Sequence, residues 1–348
     1  MNAPKSTLTP PVSIRLEAST VCQLKCPVCQ QRNGKIKKYL GWGFLSLQNF
    51  KKIVDENPSI RFIELSNWGE IFLNPQLIDI IKYGYEKNVV LTATNGANLN
   101  TMPEAMPEAL VKYQFNRITC SIDGASQETY RIYRKNGNFR KVLEHIKKIN
   151  YFKLKYHSLF PILTWQFIPF SHNEHEILKA QKIAKTLNMV FKIKPPHNQR
   201  LSGENTKNLV KKICHLGADS EKNNKDKFDI LTSRMMCKLL WVQPQINYDG
   251  RLLGCCHLYK ESFGNVFKEG LISALNNKKM TLARQLLSGK GPTGADTPCA
   301  RCHYYEVIKK HKAWFKNSEL NFLPGTTREK IGLRRKLVKT LKSRLPHN

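Results

Sequence analysis

The chain of 348 residues contains no run approaching the roughly 18 uninterrupted apolar residues that a membrane-spanning helix needs. Residues 1–11 are polar and proline-marked, and they lack the apolar stretch of a secretory signal. The cytoplasm is therefore the expected compartment. Histidine is missing from the N-terminal part altogether, the first being His145. Acidic residues are scarce: 26 Asp and Glu face 57 Lys and Arg, a formal net charge of +31. Such an imbalance bears on partners and solubility rather than on fold. A lysine-rich solvated surface accounts for it, and so would an anionic substrate, a nucleic acid or an anionic membrane face. Against nucleic acid, no block of lysines is interleaved with aromatics as in a DNA- or RNA-binding motif. There is no internal repeat and no low-complexity segment. With ordinary apolar and charged fractions, the chain is long enough for one large core, or for one core and an appendage.

From Val12 to Lys194 strand-like and helix-like stretches alternate. The strand candidates are Val12–Glu17, Arg61–Leu65, Val89–Ala93, Arg117–Ile122, Ile162–Ile168 and Met189–Lys194, rich in β-branched and aromatic residues with polar breakers at their ends. Between them Phe50, Ile53 and Val54 share a helical face, as do Leu77, Ile80, Ile81 and Gly84, and as do Ile177, Ala180, Ile183, Ala184 and Leu187. Ser46 suits the N-cap of the first of these helices and Pro75 the first turn of the second. Six such repeats predict an α/β fold with a parallel sheet and right-handed crossovers, curved into a partial (β/α)6, TIM-like barrel. Its chemistry belongs at the C-terminal ends of the strands. Further on, Trp241–Asn247 and Arg251–Cys256 flank the turn Tyr248-Asp249-Gly250 and read as a hairpin. Leu271–Leu287 reads as a helix.

Ten cysteines in a reducing compartment read first as metal ligands rather than disulfides. Seven fall into two spaced groups. Cys120, in an apolar strand, reads as a small hydrophobe. Cys214 and Cys256 are left over, Cys256 as a spare thiol beside Cys255. The first group, Cys22-Gln-Leu-Lys-Cys26-Pro-Val-Cys29, packs three thiols into one loop. Three thiolates can hold three corners of an iron–sulfur cubane and leave the fourth iron open to a small molecule. Structural zinc wants four ligands, and neither histidine nor a fourth cysteine lies near.

The C-x3-C-x2-C loop after an N-terminal strand resembles the radical S-adenosylmethionine (SAM) superfamily. Three further motifs match in order. Asn67-Trp68-Gly69-Glu70 stands where that family has Gly-Gly-Glu, with Trp68 in place of the first glycine. Thr94-Asn95-Gly96 resembles the polar turn after the third strand, and Ser121-Ile122-Asp123-Gly124 the fourth-strand motif. Gln166 occupies the polar position of the fifth strand. The resemblance implies that Cys22, Cys26 and Cys29 hold a [4Fe–4S] cluster. It further implies that Gly69, Glu70, Asn95, Ser121, Asp123 and Gln166 contact SAM, Glu70 through the methionine ammonium and the fourth-strand motif through the ribose. It also implies that a low-potential donor of flavodoxin or ferredoxin type reduces the cluster, and that SAM then yields a 5′-deoxyadenosyl radical which takes a hydrogen atom from substrate.

By spacing alone, Cys237, Cys255, Cys299 and Cys302 fit either a zinc ribbon or a fully ligated cluster. The string from Gln243 to Cys256, followed by Phe263-Gly-Asn-Val, resembles the start of a SPASM domain. No cysteine follows Cys302, so the pattern is that of the shortened form, the twitch domain, with one auxiliary [4Fe–4S] cluster. The layout is similar to that of 2-deoxy-scyllo-inosamine dehydrogenase-type enzymes. It implies oxidation of a sugar or cyclitol alcohol, the auxiliary cluster taking the second electron. The alternatives are modification of a ribosomally made peptide and a basic zinc-containing nucleic-acid-binding protein. Against the peptide reading, only about eleven residues precede the first strand. The expected division is a barrel core over 1–200, a linker over 201–236, the twitch domain over 237–305 and a basic tail over 306–348. His172, His175 and Arg200 lie in suitable regions for a base, but none is assigned. From Arg328 onward, Ile331, Leu337, Val338, Leu341 and Leu345 fall near one helical face among basic residues. That is the pattern of a helix lying on an anionic membrane surface, which would suit a glycan substrate, or of one packed on the barrel.

Overall fold

A computed structural model describes residues 10–195, 221–292 and 294–320. Six parallel strands run in chain order across one sheet: β1 (Ser13–Leu16), β2 (Phe62–Glu64), β3 (Val90–Ala97), β4 (Arg117–Ser121), β5 (Ile162–Phe167) and β6 (Val190–Ile193). Each lies within one of the six segments read from the sequence, except that β3 runs on through Thr94-Asn95-Gly96. The reason is a bulge. The β3–β4 register passes from Ala93 opposite Ile118 to Ala97 opposite Cys120, so four steps on β3 meet two on β4. The expected turn is therefore an interruption within a strand. A hairpin, β7 (Gln245–Ile246) and β8 (Leu252–Gly254), adds to the free side of β1, with β7 parallel to β1 and antiparallel to β8. The order β6-β5-β4-β3-β2-β1-β7-β8 leaves the sheet unclosed, a partial barrel.

The two faces of the sheet differ because side chains alternate along strands. Ile14, Leu16, Ile63, Leu65, Ile118, Cys120, Leu163 and Trp165 are buried in the main core. The crossover helices cover that face. Helix α1 is Lys35–Leu40. In α2 (Leu47–Glu56), Phe50, Ile53 and Val54 are buried, and Ser46 caps the helix by accepting from the Asn49 N–H at 3.1 Å. Helix α3 (Leu77–Glu86) starts later than expected: Gln76 is its N-cap, and Pro75 lies in the approach rather than in the first turn. Helices α4 (Met106–Lys112), α5 (Gln127–Tyr133), α6 (Phe139–Lys155) and α7 (Ile177–Thr186) complete the layer.

Helix α8 (Glu221–Cys237) leads into the hairpin, and the rest of the expected linker lies outside the described residues. The helix expected over Leu271–Leu287 is two, Leu271–Leu275 and Lys278–Leu287. Asn277 adopts an extended conformation between them, and its side chain accepts from the Met280 N–H. An asparagine that can cap is a better start for a new helix than a link within one. Cys214, Arg200 and the basic tail from Arg328 also lie outside the described residues. Among the described residues no helix is long and apolar enough to cross a membrane.

Candidate iron–sulfur and substrate site

The loop after β1 is held from several sides. Gln31 is buried and donates to the carbonyls of Thr20 (2.6 Å) and Trp68 (3.0 Å), tying the cysteine loop to the loop after β2. Gly69 permits this closeness. A Cβ there would overlap the Ser19 carbonyl and stand 2.8 Å from that of Val21. The glycine thus lets two backbones of the protein touch. The Glu70 N–H donates to the Val21 carbonyl at 2.8 Å. Glu70 is buried and accepts from the N–H groups of Phe72 (3.3 Å) and Asn98 (2.5 Å). Burial pushes its carboxyl up to about 7 despite those bonds.

Cys26 is buried, and Cys22 and Cys29 are half-buried. Cys29 N–H donates to the Cys26 carbonyl at 3.1 Å, the turn that a C-x2-C spacing allows. Burial pushes the Cys22 thiol up to about 12, helped by the Glu70 charge, and raises the Cys29 thiol as well. A metal that displaces those protons relieves this. Two side chains escaped the sequence reading. Asn98 donates to the Cys22 sulfur (3.8 Å) and accepts from the Gln23 amide (2.9 Å). Arg134, just past α5, donates to the Asp123 carboxylate while its Nη1 lies 3.7 Å from the Cys26 sulfur. Burial disfavours the charge on Arg134, but Asp123 and Cys26 outweigh it. Its Nε is buried without a partner, so the thiol loop faces a cation with a donor to spare.

The expected polar positions are brought to the same end of the sheet. Asn95 donates to the Ser66 carbonyl at 2.6 Å. Gly96, at φ 127°, has no room for a side chain against the Ser121 hydroxyl. Gln166 is directly opposite Ser121 across β4 and β5. Asp123 is fully buried at φ 57°. Its second oxygen accepts from the Ile168 N–H at 2.7 Å, so both oxygens are engaged within the protein.

The second thiol group assembles from separate elements. Cys237 ends α8, Cys255 follows β8, and Cys299 lies in the turn Pro298–Arg301. Cys302 precedes the helix His303–Lys310. The Cys302 N–H donates to the Cys299 carbonyl at 3.1 Å, repeating the local geometry of Cys26 and Cys29. Burial raises Cys237 and Cys299, each further raised by the sulfurs around it: Cys255 and Cys302 act on both. The four thiols lie within electrostatic range of one another in an apolar setting, while among the described residues no three His, Cys, Asp or Glu side chains stand close enough to hold a single metal ion. As a donor set, four thiolates suit a fully ligated cluster, as three thiols beside a cation suit an open one. Cys256 lies within electrostatic range of Cys255 and Cys237 but has contacts of its own. Arg15 is a hydrogen-bond partner of its thiol, Lys194 is within electrostatic reach of it, and Met236 Sδ is 3.4 Å away.

Trp68, the departure from the family motif, is explained by packing. Its ring meets Tyr259 edge-on at 5.6 Å, in a cluster with Ile36, Leu40 and Leu253. It joins the loop after β2 to the chain after the hairpin.

The sheet, the open three-thiol loop at its C-terminal edge and the second thiol group define an iron–sulfur enzyme of the radical type. The family model described as the radical SAM superfamily matches residues 16–166, and the one described as the SPASM iron–sulfur cluster-binding domain matches residues 237–303. The chain thus carries a radical SAM domain over residues 16–166 and a C-terminal SPASM domain over residues 237–303. Such proteins bind SAM and a [4Fe–4S] cluster, with auxiliary iron–sulfur chemistry in the SPASM domain. No curated protein sequence matches. Among solved structures, Streptococcus suis SuiB bound to SAM is similar over 90% of this chain and 75% of its own, with a TM-score of 0.57 and 10% identity. BtrN in complex with AdoMet and 2-DOIA aligns over 84% of this chain and 93% of its own, with a TM-score of 0.46 and 13% identity.

Proposed function

We propose that this enzyme oxidises an alcohol of a sugar or cyclitol at the mouth of the partial barrel, between the two thiol groups. The observation that supports this reading most is the second group itself. Four gathered thiols leave no iron open to substrate, which suits an electron acceptor rather than a binding site. When bound, the cofactors supply a 5′-deoxyadenosyl radical that removes a substrate hydrogen atom, and an acceptor for the electron left behind.

The chain's own residues then have distinct tasks. Cys22, Cys26 and Cys29 hold the cluster that meets SAM, and Cys237, Cys255, Cys299 and Cys302 hold the auxiliary one. Glu70, Asn95, Ser121 and Gln166 are the polar groups offered to SAM, Glu70 fixed by the loop after β2 and the other three by their strands. Asp123 is assigned a different task from the ribose contact expected of it: it holds Arg134 charged and aimed at the cysteine loop. Gly69 keeps that loop seated.

We place residues 1–200 in the cofactor core and 237–305 in the auxiliary unit, with β7 and β8 also lengthening the core sheet. A low-potential donor and the cytoplasm complete the reading. The tail's attachment to an anionic membrane rests on its sequence pattern alone, and liposome co-sedimentation with and without residues 325–348 tests it. The reaction is tested with reconstituted enzyme, reductant and SAM against deuterated sugars and cyclitols. Deuterium carried into 5′-deoxyadenosine, with a ketone product in equal amount, is expected. A crosslinked peptide as the product would replace the reading.

A further inference from the structure

We propose that Asn98, just beyond β3, is a positioning residue that sets the reduction potential of the cluster held by Cys22, Cys26 and Cys29, its amide donating to the Cys22 sulfur while its backbone fixes Glu70; this rests on the reading that Cys22 is a cluster ligand.

The turn after β3 holds one amide still. Asn98 is buried, and the Asn100 N–H donates to its Oδ1 at 3.0 Å, the short turn that an asparagine side chain forms with the backbone two residues on. Leu99 between them is fully buried and left-handed, with φ 59°. Two helices pin the rest of the turn. His145 Nδ1 on α6 donates to the Leu99 carbonyl at 2.7 Å, and the Asn100 amide donates to the Tyr130 hydroxyl on α5 at 2.8 Å.

That turn decides which end of the Asn98 amide meets the cysteine loop. The oxygen and nitrogen of an amide are alike in shape, so hydrogen bonds must tell them apart. A backbone N–H can only donate, so the atom that meets Asn100 is the oxygen. Gln23 agrees: its Nε2 donates to the same Oδ1 at 2.9 Å, and its Oε1 accepts from Asn98 Nδ2 at 3.4 Å. Nδ2 is left facing Cys22, 3.8 Å from the sulfur. The Cys22 thiol also lies 3.9 Å from Gln23 Oε1, a contact that needs the thiol proton and ends when metal displaces it. Among the described residues the other donor to this sulfur is the backbone N–H of Leu24, while Arg134 serves Cys26.

Asn98 carries a second link. Its backbone N–H donates to Glu70 Oε2 at 2.5 Å, so one residue ties a cluster ligand to the carboxylate offered to SAM. Reduction adds an electron to a cluster, and part of that charge falls on the ligand sulfurs. An N–H aimed at a sulfur stabilises the more negative state, the more so where water does not compete. Asn98 therefore makes the cluster easier to reduce. Being neutral, the amide does so through its dipole and brings no charge of its own.

Potentiometric titration followed by electron paramagnetic resonance tests this on the reconstituted enzyme with both clusters in place. The open cluster is recognised by the change that added SAM makes in its signal. Asn98→Ser keeps a side chain able to close the turn but too short to reach Cys22. It is expected to lower the midpoint of the open cluster until the ratio of reduced to oxidised form at a fixed poise falls about tenfold, which for one electron is about 59 mV. The auxiliary midpoint should not move. Asn98→Asp keeps the Oδ1 acceptor and loses the donor, and should lower the open midpoint at least as far. An unmoved open midpoint in these variants would overturn the proposal and leave Asn98 a turn former. So would an equal shift in both clusters, which would reveal general loosening. Should Asn98→Ser fail to take up the open cluster, Asn98→Asp decides. A SAM-responsive signal that survives replacement of Cys22, Cys26 and Cys29 removes the reading beneath the proposal, whereas an unmoved midpoint in a SAM-responsive cluster removes the proposal alone.

Discussion

Arg134 stands between Asp123 and Cys26, one guanidinium nitrogen on the carboxylate and another 3.7 Å from the sulfur. The pair is buried, with Asp123 fully enclosed and the Arg134 side chain 12% exposed. Removing one member of a buried pair leaves the other charge uncompensated, at about 3–5 kcal/mol. Arg134→Gln is therefore expected to lose about that much stability in urea titrations of the iron-free protein. Asp123→Asn added to Arg134→Gln should recover part of it, since asparagine tolerates the left-handed φ of 57° at this position. Unchanged midpoints in the single variant would mean the pair holds nothing in place.

The two thiol groups are separate in the chain and in the fold, so they can be emptied separately. Replacing Cys22, Cys26 and Cys29 together by alanine is expected to abolish 5′-deoxyadenosine formation while the reconstituted protein stays brown from the auxiliary site. Wild-type amounts of 5′-deoxyadenosine in that variant would disprove the assignment of the loop.

Metal content distinguishes a cluster from a ribbon at the second group. Two cubanes carry about eight irons per chain, and iron and sulfide assays after anaerobic reconstitution should approach that number. Replacing Cys299 and Cys302 by alanine should remove about four of them. About four irons and one zinc in the unaltered protein would turn the second group into a structural zinc site.

The parallel strands and the thiol loop were legible because their signals are local. β-branched runs, helical stripes and cysteine spacing are each set by neighbours in the chain. The bulge in β3 was not legible, because it answers to Ser121 on another strand. Nor was Arg134: an arginine followed by Lys135 in a lysine-rich chain looks like any solvated charge until the turn after β4 buries Asp123 beside it. Pro75 misplaced a helix start by two residues because Gln76, with no side-chain capping bond, is the N-cap. Trp68 stood out as an exception to the family motif, and only the hairpin's return past Tyr259 accounts for it.

That contact yields a prediction. Trp68→Gly restores the usual family residue but removes a ring packed against Tyr259. Large-to-small changes at packed aromatics cost about 3–5 kcal/mol when the site is fully buried. Trp68 is half-buried, so a smaller loss is expected, read as a lowered melting temperature. Trp68→Phe should keep most of the stability. Gly69→Ala should be worse than either, since its Cβ would strike the backbone carbonyl of Ser19 rather than a movable side chain.

Glu17 offers a test through pH. It is buried at the end of β1, and burial pushes its carboxyl up to about 8, more than the N–H groups of Trp68, Gly69 and Asn67 pull it down. At neutral pH it is therefore largely protonated and needs an acceptor for its own hydrogen. Gln245 provides one: its Nε2 lies 3.4 Å from a Glu17 oxygen, while its own Oε1 is buried without a partner. Rotating that amide by half a turn would turn its oxygen to the Glu17 proton, at the expense of the long Nε2 contact to the Ile246 carbonyl (3.5 Å), and the two amide orientations are not distinguished by shape. Because the folded state holds this proton more tightly than the unfolded chain, stability falls with rising pH. The contribution is fully present below about 4.5, the ordinary value, and is lost as pH rises through about 8. Each tenfold gain in proton affinity on folding is worth about 1.4 kcal/mol. Glu17→Gln replaces the acid by a neutral group of the same shape. Its melting temperature should change less than the wild type's between pH 5 and 9, leaving the smaller slope that Glu70, raised to about 7, contributes in both proteins. Parallel curves for the two proteins would show that Glu17 ionises normally in the fold.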